Sequence, residues 1–278
     1  TYPSMAGAIG QVKNGFQNAF TFYLSGILYE ASGELNDAYI DYKRAIEIYP
    51  ENHYLQQDVL RLATKLGMQD DLDEFEQRFG SYQSEKSESE GQVVILFEQD
   101  IVNSKQDVGL NLPIGRSNRG LKFFSFSLPV YRGALPQHSN LTVSNAGESY
   151  ESNELVRIQS LAAKDLQDQL PSLLTRQVVR VVAKEQMRQK LSREAGDVGN
   201  ILASIYNIAS ERADTRSWST LPDEVDIVRM SVPTGKQLLQ VQVHGQMQNI
   251  EVNVQPNRIT LINFSAIGNY TGYQSINL

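Results

Sequence analysis

Residues 20–50, FTFYLSGILYEASGELNDAYIDYKRAIEIYP, form the most informative stretch of this 278-residue chain. Large aromatic and small side chains recur there at helical spacing, and the set comprises Phe22, Gly26, Tyr29, Ala38, Tyr42, Ala45 and Pro50. Residues three or four positions apart share one face of a helix. Small side chains at Gly26 and Ala38 let two antiparallel helices approach closely, and a glycine such as Gly33 suits the turn that ends the first one. The stretch therefore predicts a helical hairpin.

This order of aromatic, Gly, Tyr, Ala, aromatic and Pro is typical of a tetratricopeptide repeat. Gly67 follows Gly33, and Leu72 follows Ala38, by one repeat period of about 34 residues, which indicates a weaker second copy. We predict a repeat-like helical region over residues 1–80. Because about three repeats are needed for a stable array, either the array continues upstream of Thr1 or these helices pack on the rest of the chain. Stacked helix pairs form concave binding surfaces. We therefore predict that the concave surface of these helices is a groove for a segment of a partner protein. This partner-groove prediction requires that the surface is open and not filled by the protein's own chain.

The composition and periodicity of the sequence change after the helices. Residues 81–91, SYQSEKSESEG, are polar and without periodicity, and they predict a linker. Residues 92–278 predict a β-rich domain resembling an antiparallel sandwich, with a helical segment at 151–213, so the fold class is α+β. Two separate small modules are the alternative. The expected strands cover 93–97, 121–130, 141–143, 225–232, 237–244, 247–254 and 258–264, with a hairpin turn at His244-Gly245-Gln246. The expected helices begin at Glu154, at Pro171 and near residue 198.

Composition excludes several classes of protein. The net charge is −7, and no run of basic residues is longer than the pair Lys43-Arg44. This argues against nucleic-acid binding, because phosphate contacts require clustered Lys and Arg. The chain has no cysteine, which removes disulfides, thiolate nucleophiles and cysteine-based zinc sites. No run reaches the length of about 18 apolar residues that a spanning helix needs.

Catalytic chemistry has little support in the sequence. The three histidines, His53, His138 and His244, lie outside any recognisable catalytic context. The acidic run from Asp70 to Glu76 suits the first turn of a helix and lacks the glycine turn of a calcium loop. We therefore predict a protein that is not an enzyme, with no cofactor and no metal.

Partner contacts are the remaining role for the prominent aromatic residues. We predict partner-binding residues at Tyr23, Tyr29, Tyr39 and Tyr42 in the helices, and at Arg216 and Trp218 where the chain returns to strands. Trp and Arg dominate the energetics of protein interfaces. Tyr29 and Tyr42 also suit a core between helices. Trp218 also suits a core anchor, beside a pair that Arg216 forms with Asp214 or Glu211.

Four blocks in this order resemble a family of uncharacterised bacterial envelope lipoproteins. They are residues 20–50 as quoted, GQVVILFEQD (91–100), ERADTRSWSTLPDEV (211–225) and VPTGKQLL (232–239). The resemblance covers most of the chain. It implies a lipid anchor and further repeat-like helices upstream, and a periplasmic location at the outer membrane in the intact protein. It supplies no catalytic residue.

Three functional hypotheses follow. The first is an envelope scaffold or assembly protein that binds other envelope proteins through its helices and docks or forms a homo-oligomer through its strands. The second is a protein that binds cell-wall glycan, for which Tyr131, Tyr150, Tyr270 and Tyr273 are the candidate aromatic residues. The third is a hydrolytic enzyme.

Overall fold

The computed structural model describes residues 4–82, 90–117, 120–180, 183, 186 and 213–278, with the backbone alone at 112–117 and 120–124. Six helices and a set of mostly antiparallel strands make up the described parts of the chain, which confirms the α+β class. In chain order the elements are α1 (Ala6–Ile9), α2 (Ala19–Ser32), α3 (Leu35–Ile48), α4 (His53–Leu66), α5 (Gln69–Phe79), β1 (Glu90–Gln99), β2 (Gln106–Ser117), β3 (Gly120–Val130), β4 (Thr142–Asn145), β5 (Glu148–Glu151), β6 (Asn153–Arg157), α6 (158–180), β7 (Glu224–Pro233), β8 (Gly235–Val243), β9 (Gln246–Val254), β10 (Ile259–Ile267) and β11 (Tyr270–Asn277).

The chain divides into two compact units made of interleaved stretches. Unit 1 contains Thr1–Gly15, Asn103–Leu135 and Gln159–Ser219, and unit 2 contains Phe16–Val102, Pro136–Ile158 and Thr220–Leu278. In unit 1, the antiparallel pair β2–β3 accompanies α1 and α6. The division predicted from the sequence, into a helical region at 1–80, a linker at 81–91 and a β-rich domain at 92–278, stays a prediction.

Four helices of unit 2 follow from local signals in the sequence. The side chain of Asn18 accepts a hydrogen bond from Thr21 N (3.2 Å), and that of Asn52 accepts one from Leu55 N (3.1 Å), so that each caps a helix start. Gly33 ends α2 in the left-handed region at φ 87°. A Cβ atom at Gly26 would lie 2.5 Å from Cε1 of Tyr42, which explains why α2 and α3 need glycine there.

Two sheets complete unit 2. The five-stranded sheet has the order β11-β10-β1-β7-β6, in which β1 runs parallel to β10 and antiparallel to β7. The four-stranded sheet has the order β5-β4-β8-β9. Central strand β1 is buried on both faces, because Val94 and Leu96 alternate with Val93, Ile95 and Phe97 and none is more than 5% exposed. One hydrophobic core joins helices α2–α5, β1 and both sheets.

The hairpin predicted at His244-Gly245-Gln246 is confirmed, although Gln246 is already the first residue of β9 and the turn is formed by His244 and Gly245. These two residues join β8 to β9 with φ of 50° and 75°. Positive φ at both central positions is the signature of the type I′ turn, whose twist matches that of paired strands.

Several predicted elements differ in the structure. Glu154 lies in β6 and not at the start of a helix, and α6 covers 158–180 without a break at Pro171. The φ angle of proline is itself helical, so Pro171 removes one hydrogen bond from α6 without starting a new helix. The helix expected near residue 198 lies outside the described residues. Strands β2, β5, β6 and β11 were not predicted, because glycine and polar residues interrupt the alternation that the prediction requires.

Candidate functional site

A groove in unit 2 lies between the helices and the five-stranded sheet. It consists of two cavities of about 650 Å³ each that share Arg61, Tyr82, Glu90, Gln92 and Ser231 in their walls, and we call it the helix–sheet groove. Ligand sites in proteins typically have volumes of about 300–1,000 Å³. Each half of the groove is therefore large enough for several side chains of a bound segment.

The two halves differ in chemistry. Lys65 and Arg258 add positive charge to the walls of the first cavity. The second cavity has three tyrosines in its walls, Tyr54, Tyr82 and Tyr150, beside carboxylate and amide side chains that include Glu148 and Asn153. The hydroxyl of Tyr54 donates to Glu151 O (2.7 Å), which fixes that ring in the wall. Ser231, an exposed residue of β7, lies where the two halves meet.

A buried ionic cluster in the walls of the groove fixes the helices on the sheet. Arg229 of β7 pairs with Glu30 (2.8 Å) and with Asp58 (3.0 Å). Arg61 of α4 pairs with the same two carboxylates, at 2.6 Å and 2.8 Å. The side chains of all four residues are 10% exposed or less. Two positive and two negative charges thus balance, and each carboxylate bridges two guanidinium groups.

Tyr23 and Tyr42 complete this cluster as hydrogen-bond donors. The Tyr42 hydroxyl donates to Glu30 (3.0 Å), and the Tyr23 hydroxyl donates to Asp58 (3.1 Å). Burial raises the pKa of both phenols well above the ordinary value, so both remain protonated donors. Burial also opposes ionisation of Glu30, but the charge of Arg229, followed by that of Arg61, outweighs it and holds the Glu30 pKa well below its usual range.

Three of the four predicted tyrosines have internal roles in this structure. Tyr23 and Tyr42 are fully buried, and Tyr39, 3% exposed, donates from its hydroxyl to Asp71 (2.7 Å). Arg229 donates to the Tyr42 hydroxyl (3.1 Å), so the protein's own sheet contacts this part of the helices. The open surface that the partner-groove prediction requires is absent at Tyr23 and Tyr42. Tyr29, 38% exposed, is the tyrosine of the four that reaches the surface.

Arg216 and Trp218 lie in unit 1 and are on the surface. Trp218 is 73% exposed, which rules out the core-anchor alternative. The exposed Arg216 side chain pairs with Asp214 (2.7 Å), as the sequence suggested, and this pair lowers the pKa of the Asp214 carboxyl. These two exposed residues lie in a different unit from the tyrosines, and their role in partner binding stays a prediction.

The residues that build the ionic cluster were not predicted from the sequence. Arg229 was the available signal, because it interrupts the apolar residues Ile227–Met230 of a strand that was predicted from the sequence. A charged residue within a strand that is buried on both faces requires partners of opposite charge. Those partners come from α2 and α4, which are remote in the sequence.

A second buried polar cluster lies at the start of β7. Glu224 and Asp226 are 6% and 1% exposed, and both accept hydrogen bonds from the side-chain amide of Gln99, at 3.2 Å and 3.3 Å. Arg157 pairs with Glu224, and His138 Nε2 lies 2.8 Å from Asp223. Burial, followed by the charge of Asp226, raises the pKa of Glu224 to about 9. Burial also raises the pKa of Asp226, so this pair of carboxyl groups is expected to hold a proton at neutral pH.

Replacement of Glu224 with glutamine should change how stability depends on pH. The raised pKa of Glu224 stabilises the folded state fully below the unfolded pKa, and this contribution is lost as pH rises from about 4.5 to about 9. Glu224→Gln should remove that dependence. The free energy of unfolding of the variant minus that of the parent protein should therefore be higher at pH 8 than at pH 5. Urea unfolding at both pH values, with exposed Glu251→Gln as the control, measures the difference. An equal difference at the two pH values would contradict the assigned pKa.

Comparison of this chain with known protein families, curated proteins and solved structures found no match. No helix among the described residues is long and apolar enough to cross a membrane. Within the same residues, no group of three or more His, Asp or Glu side chains is arranged to hold a metal ion. The resemblance to envelope lipoproteins stays a prediction.

Proposed function

We propose that the protein is a non-enzymatic scaffold or assembly protein of the cell envelope, periplasmic and outer-membrane-anchored in its intact form. Its helices are taken as tetratricopeptide-like, and its two sheets as a β-sandwich-like core. The helix–sheet groove holds a segment of another envelope protein, and the strands dock on a further subunit. The observation that carries this proposal is the groove itself, two adjoining cavities with a common wall.

Rigid walls support this role for the groove. A preorganised site binds more tightly because less conformational freedom is lost on association. The Arg229 cluster holds α2 and α4 against β7, and the shared core continues beneath both. The partner segment therefore contacts a fixed surface of helix and sheet together, and not the helical face that Tyr23 and Tyr42 occupy.

Substitution of Ser231 with tryptophan tests the groove. The exposed Ser231 side chain faces both cavities, so a large ring there should obstruct partner entry while leaving the core intact. We expect Ser231→Trp to lower the yield of co-purifying envelope proteins at least ~10-fold, which is about 1.4 kcal/mol of binding. The measurement is affinity purification of the intact protein from its native membrane, with quantitative identification of the captured chains.

Gln240→Trp is the matched control, because Gln240 is an exposed residue of β8 outside both cavities. Equal capture by the parent protein and both variants would contradict a role for the groove. Deletion of residues 16–80 is a poor substitute, because it would expose Val94 and Leu96 and leave Arg229 without its acidic partners.

Glycan binding is the second candidate, and the three tyrosines of the second cavity favour it. Saccharides pack on aromatic rings and form hydrogen bonds with carboxylates and amides, and Tyr54, Tyr82 and Tyr150 stand beside such groups. Of the aromatic residues suggested by the sequence for glycan, Tyr150 lines this cavity, whereas Tyr131 is buried and Tyr270 and Tyr273 lie on β11. Binding of the parent protein, Ser231→Trp and Gln240→Trp to purified cell-wall glycan separates the two candidates. The second function would be favoured if the parent protein binds glycan, Ser231→Trp does not, and no envelope protein is captured.

A further inference from the structure

Strand β11 forms an unusually exposed edge of the five-stranded sheet. It pairs with β10 on one side, and among the described residues no strand pairs with its other side. All eight of its residues are exposed, and Tyr270 and Ile276 are 84% and 59% exposed. An edge strand of this kind presents a row of backbone donors and acceptors to another strand.

This edge lacks the features that normally prevent strand pairing. Proteins protect their edges with lysine, proline, bulges or very short strands. Strand β11 contains no lysine and no proline, and its register with β10 is continuous from Tyr270 to Asn277. No charged residue occurs between Ile259 and Leu278, in a chain of net charge −7. Two acidic copies of this chain can therefore meet along this segment without facing charge against charge.

The direction of the backbone groups follows from one hydrogen bond. Leu278 N donates to Ile259 O (2.9 Å), so the backbone groups of Leu278 point towards β10. Successive residues of a strand direct their N–H and C=O groups to opposite sides. The groups of Thr271, Tyr273 and Ser275 therefore point away from β10, towards the open side.

We propose that β11 pairs antiparallel with β11 of a second copy of this chain, with Tyr273 on the two-fold axis. Tyr273 then exchanges both backbone hydrogen bonds with Tyr273 of the second copy, and Thr271 does so with Ser275 of the second copy. An isologous contact uses the same surface on both subunits, as this register does.

Side chains also match in this register. Residues directly opposite each other on antiparallel strands point to the same face, and aromatic–β-branched pairs stabilise such a contact. Tyr270 stands opposite Ile276 of the second copy, and Ile276 stands opposite Tyr270 of the second copy. The two most exposed large side chains of β11 thus cover each other twice. The result is a continuous sheet across the dimer, and this inference deepens the docking part of the proposed function.

The test measures the oligomeric state of the full chain by sedimentation velocity over a range of concentrations. Gln274→Lys places two lysines diagonally across the axis on one face, and we expect it to raise the dimer dissociation constant at least ~10-fold, because like charges in adjacent strands repel. Gln240→Lys, the same exchange at an exposed site on β8, should leave the constant unchanged. Circular dichroism confirms that both variants fold.

Single cysteines test the register, because the chain has none of its own. Tyr273→Cys should form a disulfide-linked dimer on mild oxidation, because directly opposed Cα atoms lie about 5.5 Å apart, within disulfide reach. Gln274→Cys should not form such a dimer, because residue 274 stands opposite Gly272 of the second copy and the two introduced cysteines are not directly opposed. A parent chain that is monomeric throughout, an equal effect of Gln240→Lys, or cross-linking by Gln274→Cys in place of Tyr273→Cys would overturn the inference. A monomer that still captures envelope proteins would leave the proposed function standing.

Discussion

Replacement of Arg229 with methionine is expected to lower the free energy of unfolding by about 3–5 kcal/mol, the usual cost of removing one partner from a buried ion pair. Methionine is apolar and of similar length, so the packing around the side chain changes little. The change in charge is large, because Glu30 and Asp58 then share Arg61 as their one guanidinium partner within the cluster. Urea unfolding followed by far-ultraviolet circular dichroism measures the loss.

Two further variants identify electrostatics as the cause. Arg216→Met removes an arginine from an exposed pair, and its unfolding curve should match that of the parent protein, because exposed ion pairs contribute little. The double variant Arg229→Met/Glu30→Gln restores the charge balance between Arg61 and Asp58. It should therefore be more stable than the sum of the two single losses predicts. Strict additivity, or a loss as small as that of Arg216→Met, would refute the role of the cluster.

Replacement of Gly91 with alanine is expected to cost about 3 kcal/mol or more, at the upper end for overpacking of a filled core. A Cβ atom there would lie 2.3 Å from Gln255 O and 2.5 Å from a methyl group of Val254. The carbonyl of Gln255 belongs to a turn held at both ends, because Asn257 N donates to Glu90 O (3.0 Å) and Gln92 N donates to Arg258 O (2.9 Å). The backbone therefore cannot yield without breaking hydrogen bonds.

Gly109→Ala is the matched control for this prediction. Gly109 also lies within a strand, but a Cβ atom there meets nothing within 4 Å. Substitution at an unstrained glycine is neutral or slightly stabilising, because it restricts the unfolded chain. Thermal unfolding should therefore show a clear fall in Tm for Gly91→Ala and none for Gly109→Ala. Equal midpoints for the two variants would show that the turn at 255–258 can move away.

Helix pairs and hairpins could be predicted because their signals are local. Gly33 and Gly67 mark helix ends, Gly26 marks the close approach of α2 to α3, and His244-Gly245 marks a turn between two strands. Each of these signals acts through residues within one hairpin. Strand β11 was missed because its glycine and polar residues lack a two-residue alternation, and backbone pairing with β10 is what makes it a strand.

The candidate site could not be predicted to the same extent. The helix–sheet groove brings Arg61 of α4 beside Gln92 of β1 and Ser231 of β7, three residues from distant parts of the chain. The hydrogen bonds of Tyr23 and Tyr42 could not be predicted for the same reason, because they involve residues remote in the sequence. Their spacing correctly suggested that Tyr42 packs between helices, but no local signal revealed that Tyr23 and Tyr42 would donate to carboxylates paired with Arg229.

The amino-acid sequence by itself determined the class of fold, the positions of α2–α5 and most strands of unit 2, because helix periodicity, caps and turn glycines act over a few residues. It also determined the uncharged character of the segment from Ile259 to Leu278. Tertiary structure alone decided which faces are covered, where the groove lies and which edge stays open. Burial and charge pairing depend on what the fold brings within a few ångströms, and Arg229 meets Glu30 only after helix and sheet have packed together.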